Sequence, residues 1–251
     1  MFFLVHYARV IHALRRFLSR KKVLWRVDDW AKRSRWGLWF RSLFSVLDFH
    51  DFITLDTPWW TLRSGRRVRD FLLHTPHPRA LEWGSGASTV WLSTFCDEVI
   101  SIESDANWAA SVADSIPAHV TLVTPDIPRR LDRDAVRSKR WGFRHLDFRH
   151  YVNAPEAFQG LFDLIVIDGR AREACFEKAL GLLASGGMIL FDNTNRRRYR
   201  RALYRYRNES VVSHEIGLTP LGPWPPETSI IRLAPGYAAS ADAGAAATSS
   251  Q

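Results

Sequence analysis

The run Glu82-Trp83-Gly84-Ser85-Gly86, with Glu103 lying 21 residues beyond Glu82, is the part of this sequence best equipped to hold a ligand. The glycines let the main chain turn tightly and approach a bound molecule with no Cβ in the way. A carboxylate at that distance, ending the next strand, can accept hydrogen bonds from ribose hydroxyls. A dinucleotide site would want a third glycine at position 89, where a pyrophosphate and close helix packing demand room, but the residue there is Thr89. Its branched side chain argues against a nicotinamide dinucleotide. It favours a ligand without a pyrophosphate, such as S-adenosylmethionine, whose amino acid end would meet the loop amides and Glu82.

Further along, Asp168 and the pair Asp192-Asn193 close two strongly apolar runs, and the chain after Asp168 reads Gly169-Arg170-Ala171-Arg172. Residues at strand ends are natural candidates for aligning a nucleophile and removing its proton. Arginines beside such carboxylates either pair with them or grip an anionic substrate through bidentate hydrogen bonds. His145, His150 and Tyr151 lie in a segment inserted before Phe162, where substrate loops often sit, and join Asp168 as candidate catalytic groups.

Such residues meet only if the chain supplies a sheet whose strand ends converge. Residues 79–83, 98–102, 120–124, 162–168 and 188–191 read as strands, and 87–95, 105–115 and 172–184 as the helices between them. Strands alternating with helices at this spacing make βαβ units and a parallel sheet covered on both faces. A helix over 196–207 leads to a closing pair of strands at 211–216 and 229–233. The proline-rich loop from Gly217 to Thr228 between them is placed to shape an acceptor pocket. The expected fold class is α/β, with a mostly parallel three-layer sheet, an antiparallel closing strand and a helical N-terminal extension.

With 251 residues, 46% hydrophobic and 24% charged, the chain is globular rather than disordered. Its net charge of +9 invites nucleic acid or an anionic surface as a partner. The lysines are confined to positions 21, 22, 32, 139 and 178, an arginine bias that GC-rich coding also produces, so nucleic acid is not the favoured partner. Cys96 and Cys175 make neither a disulfide framework nor a metal cluster, which fits a reducing, cytoplasmic setting. No signal peptide is read at the N-terminus, and no stretch reaches the roughly 18 uncharged residues of a membrane span. Leu4, Tyr7, Ile11, Leu14 and Leu18 instead line one helical face within residues 1–22, with Arg9, Arg15, Arg16, Arg20, Lys21 and Lys22 largely off it. Such a helix either rests in a membrane interface, making the protein membrane-peripheral, or packs on its own domain or a partner. From Trp25 to Asp70 the chain is rich in Trp, Phe and Arg, as in a cap or lid, and its helical pattern breaks at Thr57-Pro58. The expected divisions are a basic, aromatic-rich extension over 1–56, a cofactor-binding domain over 57–234 and a disordered tail over 235–251.

The run Leu81 to Thr89, followed by Ile102-Glu103-Ser104-Asp105, resembles the first two motifs of class I S-adenosylmethionine-dependent methyltransferases. Phe162 to Gly169 and Leu183 to Asn193 resemble their fourth and fifth strands, so the likeness covers roughly residues 57–233. It implies a Rossmann-like sheet with S-adenosylmethionine as cofactor. Gly84, Ser85 and Gly86 would border the methionine portion, flanked by Glu82, Ser88 and Asp168, while Glu103 would hold the ribose and Asp126 would approach the adenine. Pro58-Trp59-Trp60-Thr61 resembles a segment that closes over the cofactor in some bacterial members, which adds Thr61. Asp168, Asp192 and Asn193 resemble the ligands of catechol-type O-methyltransferases, an oxygen set that suits Mg²⁺ acting on a substrate hydroxyl. Arg170 and Arg172 depart from that pattern by placing two cations where the metal would sit. The implied reaction is methyl transfer to a small-molecule oxygen or nitrogen, oxygen favoured, with an anionic acceptor in view. The alternatives are an RNA or DNA methyltransferase using the Arg-rich stretches 129–149 and 196–207, and a membrane-peripheral binding protein that keeps the fold without turnover.

Overall fold

The structure, a computed structural model, describes residues 2–20, 23–46, 48–129, 132–222 and 225–235. Its strands are β1 (Arg79–Trp83), β2 (Glu98–Ile102), β3 (Val120–Val123), β4 (Phe162–Ile167), β5 (Leu183–Asp192), β6 (Ser210–Ile216) and β7 (Glu227–Leu233). They form one sheet in the order β3-β2-β1-β4-β5-β7-β6. Strands β1 to β5 pair in parallel, and β7 runs antiparallel to both β5 and β6. This is the mostly parallel sheet with an antiparallel closing strand that the sequence led us to expect.

The period of two along each strand decides the layers. Leu81, Trp83, Ile165, Ile167, Ile189 and Phe191 face one core, against Tyr151 of α8 (Arg149–Asn153), Phe176 of α9 (Arg172–Leu180) and Tyr199 of α10 (Arg197–Arg205). Their alternates Ala80, Val99, Leu164, Val166, Met188 and Leu190 face the other. That side is filled by Val68 and Leu72 of α5 (Leu62–Leu73), by Trp60, and by Trp91 and Leu92 of α6 (Ala87–Leu92). Helix α7 (Ala106–Ala113) follows β2, with Asp105 capping it by accepting from the amides of Asn107 and Trp108. The helix expected to reach residue 184 stops at Leu180, because Leu183 already pairs with Phe162. Strand β5 therefore starts earlier than expected, and its register jumps from Leu183 to Met188.

The N-terminal extension holds α1 (Phe2–Arg20), α2 (Leu24–Arg33), α3 (Arg35–Ser42) and α4 (Phe49–Ile53). The side chains of Leu4 and Tyr7 lie outside the described residues, as do Lys21, Lys22 and the tail from residue 236 onward. In the described part of α1 the expected stripe is rotated. Ile11 and Leu18 are half-buried, but Leu14 is exposed with Val10 and Phe17. The turn is forced by polar anchors: His12 Nε2 donates to the Val46 carbonyl at 2.7 Å, and Arg15 reaches Asp48 at 2.8 Å and Asp51 at 2.7 Å. Arg41 then binds Asp51 with two bonds of 2.9 Å, both side chains buried. Burial alone would raise the Asp51 carboxyl, yet bonds from Arg41 and Ser45 and the charge of Arg15 hold it below its usual value.

Candidate active site

The sheet order reverses between β1 and β4, and in open α/β sheets ligands bind outside the strand ends at such a point. A cavity of about 630 Å³ opens there. The glycine loop 84–88, Glu103 and Trp108 form one wall, and Asp168, Asp192 and Asn193 form the floor. The roof comes from both ends of the chain: Asp48, Phe49 and Phe52 of the extension, and Thr219 and Leu221 between β6 and β7. Trp39 Nε1 donates to the Gly222 carbonyl at 2.8 Å and the Leu221 amide to Ser42 Oγ at 2.9 Å, which ties the two parts together.

Gly84 has a φ of +104°, and a Cβ there would come within 2.6 Å of the Gly169 amide nitrogen. Gly169 is equally constrained, since its Cβ would collide with the Tyr151 hydroxyl. The tips of β1 and β4 thus touch main chain to main chain, and the Gly84 amide donates to the Ile102 carbonyl at 2.8 Å. That bond sets the loop directly beside Glu103. Gly86 is extended at φ 172°, a conformation open to any residue.

Beneath the loop Glu82 is fully buried and absent from the cavity wall, contrary to the expectation that it meets the ligand. It accepts from Ser88 Oγ, from Thr89 Oγ1 at 2.5 Å and from Ser101 Oγ at 2.8 Å. Thr89 Oγ1 in turn accepts from the Gly86 amide at 2.9 Å, so position 89 serves the loop through a hydroxyl rather than through small size. Burial pushes the Glu82 carboxyl up to about 7 against the pull of these three hydroxyls. Glu103 does face the cavity. Its Oε1 accepts from the amides of Ser104 at 2.6 Å and Asp105 at 2.9 Å, while Oε2 has no protein donor among the described residues. Trp108 Nε1 donates to the Ser85 carbonyl at 2.7 Å and closes that side.

Asp168 and Asp192 flank Arg172, and this arrangement corrects the metal expectation. The Arg172 guanidinium binds the Asp168 carboxylate at 2.6 Å, the Asp192 carbonyl at 2.7 Å and Asn193 Oδ1 at 3.4 Å, and approaches Asp192 Oδ2 at 3.6 Å. A buried cation already occupies the centre of the three proposed Mg²⁺ ligands. Among the described residues no group of three or more His, Cys, Asp or Glu is placed to hold a metal. The residues present do not fit the ion. Burial, with the charges of Asp192 and Glu82, raises the Asp168 carboxyl to about 8 although Arg172 opposes it.

Other candidates are not brought to the cavity. Thr61 is buried and caps α5, accepting from the Ser64 amide, and its neighbour Trp59 lines the cleft instead. Asp126 is exposed three residues beyond the end of β3, and Ser104 and Asp105 stand on the wall beside Glu103 in its place. His145 and His150 are exposed and outside the lining. Tyr151 is buried under Gly169, where burial pushes its phenol well above the ordinary value and keeps the proton in place. Sequence reasoning missed Arg140, Phe49, Phe52 and Trp108 as wall residues. Only Trp108, following the cap Asp105 on a helix next to Glu103, carried a local signal.

No family profile matches the sequence, and no curated protein does. Several solved structures are similar to this chain at low identity. A methyltransferase-like protein from Silicibacter pomeroyi is 22% identical over 70% of this chain and 91% of its own, with a TM-score of 0.44. Precorrin-6y C5,15-methyltransferase from Geobacter metallireducens is 13% identical over 70% and 90%, with a TM-score of 0.46. An rRNA methylase from Streptococcus thermophilus is 12% identical over 66% and 92%, with a TM-score of 0.42. The chemistry has to be read from this chain's own residues.

Proposed function

We propose that this protein transfers a methyl group from S-adenosylmethionine to a small-molecule acceptor, with an oxygen nucleophile favoured. The observation that carries the reading is the junction of Gly84 with Glu103. The loop and a carboxylate with one open oxygen stand on adjacent strand tips and wall one cavity together. The Gly84 loop would take the amino acid portion and Glu103 Oε2 the ribose hydroxyls. Bound there, S-adenosylmethionine supplies a methyl carbon made electrophilic by its sulfonium.

Displacement at that carbon asks the protein to align a nucleophile, take its proton and keep water out. Asp168 stands at the β4 tip on the floor of the same cavity, and its raised proton affinity suits a base working near neutrality. Arg172, held between Asp168 and Asp192, fixes that carboxylate in place and balances its charge. Phe49, Phe52 and Trp59 cover the cavity with apolar surface. The roof leaves a chamber sized for a cofactor and a compact acceptor, which favours a small molecule over a polynucleotide.

Calorimetric titration with S-adenosylhomocysteine tests the reading on wild type and Glu103→Ala. The expected result is binding to the wild type and a loss of about tenfold or more in the variant, as for removing a charged hydrogen-bond acceptor. Equal affinities would sink the assignment.

A further inference from the structure

A second pocket opens off the floor of the cavity and shares Arg140, Gly169, Arg170, Arg172 and Asn193 with it. Six cations line it, Lys139, Arg140, Arg170, Arg172, Arg196 and Arg198, against the single carboxylate of Glu173. Two of the six are already compensated: Lys139 binds Glu173 at 2.8 Å, and Arg172 is taken by Asp168 and Asp192. Among the described residues Arg140, Arg170, Arg196 and Arg198 have no carboxylate within ion-pair distance. The Nε atoms of Arg170 and Arg198 are buried with no acceptor among the described residues.

Aromatic rings lie against these guanidinium groups, and of the four only Arg198 donates a side-chain hydrogen bond among the described residues, from Nη2 to the Tyr199 hydroxyl at 2.9 Å. Arg170 lies 4.6 Å over the Phe143 ring, and Arg198 and Arg196 lie 4.6 Å and 5.9 Å from Tyr199. Helices α9 and α10 both begin here, and neither has a side chain capping its first amides. Burial and the nearby charge of Arg140 lower the proton affinity of Arg170, a sign of positive charge gathered without a counterion. Buried polar groups left unpaired carry a free-energy cost that an anion would remove. The pocket's volume of about 60 Å³ suits one tetrahedral group rather than a polymer strand. Guanidinium forks match phosphate oxygens two at a time.

We propose that the methyl acceptor is a phosphorylated small molecule whose phosphate seats between Arg140, Arg170, Arg196 and Arg198, with its nucleophilic end directed to Asp168. This rests on the methyltransferase reading above and adds the substrate class. Arg172 belongs to the carboxylates and Arg170 to the substrate, two roles the sequence left undivided.

The test is a calorimetric titration of the full chain with inorganic phosphate at fixed ionic strength, with acetate as the control anion. It is run on wild type, Arg170→Gln and Arg198→Gln, with S-adenosylhomocysteine titrated into each in parallel. Phosphate is expected to bind the wild type and to lose about tenfold in affinity in Arg170→Gln, the size of one charge-assisted hydrogen bond, with a smaller loss in Arg198→Gln. S-adenosylhomocysteine affinity is expected to stay unchanged in Arg198→Gln, which lines the second pocket alone, and urea unfolding midpoints equal to wild type certify the folding of both variants. Phosphate heats no larger than those of acetate, or equal phosphate affinity in all three proteins, would overturn the proposal. So would displacement of phosphate by a short RNA at far lower concentration with a steep salt dependence, which would move the site to a polymer. Failure of S-adenosylhomocysteine to bind the wild type while phosphate binds would strike the methyltransferase reading instead.

Discussion

At Asp168 opposing influences meet within one side chain. Burial and two neighbouring carboxylates raise it to about 8, and a guanidinium 2.6 Å away pulls the other way. A base must be deprotonated to accept a proton, so kcat/KM is expected to rise with pH through about 8 and then level off. Asp168→Asn keeps the shape and removes the basicity. It should cut kcat by roughly 100- to 10,000-fold and abolish that rising limb. A variant that retained both rate and profile would remove Asp168 from the chemistry. The placement of Gly84 beside Glu103 was legible in the sequence because it follows from backbone freedom and strand spacing. Arg172 was not, because a basic residue after a strand gives no sign of whether it faces a substrate or its own carboxylates. Nor did His145, His150 and Asp126 carry any mark of the exposure that sets them aside, which depends on where the inserted segment folds back.

Among the elements, the sheet was readable from alternation alone, since runs such as Phe162–Ile167 have few other ways to be buried. The destination of α1 to α4 was not readable, because their contacts are polar and distant in sequence: Arg15 to Asp51, Arg41 to Asp51, Trp39 to Gly222. Arg41 and Asp51 form the buried latch of this layer, and breaking one partner of such a pair strands the other charge. Asp51→Asn is expected to destabilise the protein by about 3 kcal/mol, the low end for a buried pair because Arg41 keeps Asp28. It should also weaken S-adenosylhomocysteine binding, since Asp48, Phe49 and Phe52 roof the cavity. Urea unfolding and calorimetry on the same variant check both, and an unaltered unfolding midpoint would show that the latch carries no weight.

At the scale of the whole molecule, exposed aromatic residues and positive charge occur together on the N-terminal helices. Trp25, Trp30 and Trp36 are about half exposed, at 57%, 45% and 52%, and Arg16, Arg20, Arg26 and Arg35 are exposed on the same helices and their joins. Among the described residues no helix is long and apolar enough to cross a membrane. Tryptophan and arginine together suit the headgroup layer of an anionic bilayer, and we propose that this layer of helices rests there. The full chain should float with vesicles containing phosphatidylglycerol, less so with phosphatidylcholine alone, and lose flotation when the three tryptophans become serine. Sedimentation away from both vesicle types would reject that surface role. The order of assembly follows from the last strand. Among the described residues β7 is the sole partner of β6 and slots between it and β5, so residues 210–216 join the sheet only once residues 227–233 have been synthesised. On the ribosome, then, the side of the chamber formed by Thr219 and Leu221 stays unfinished until residues 227–233 have emerged.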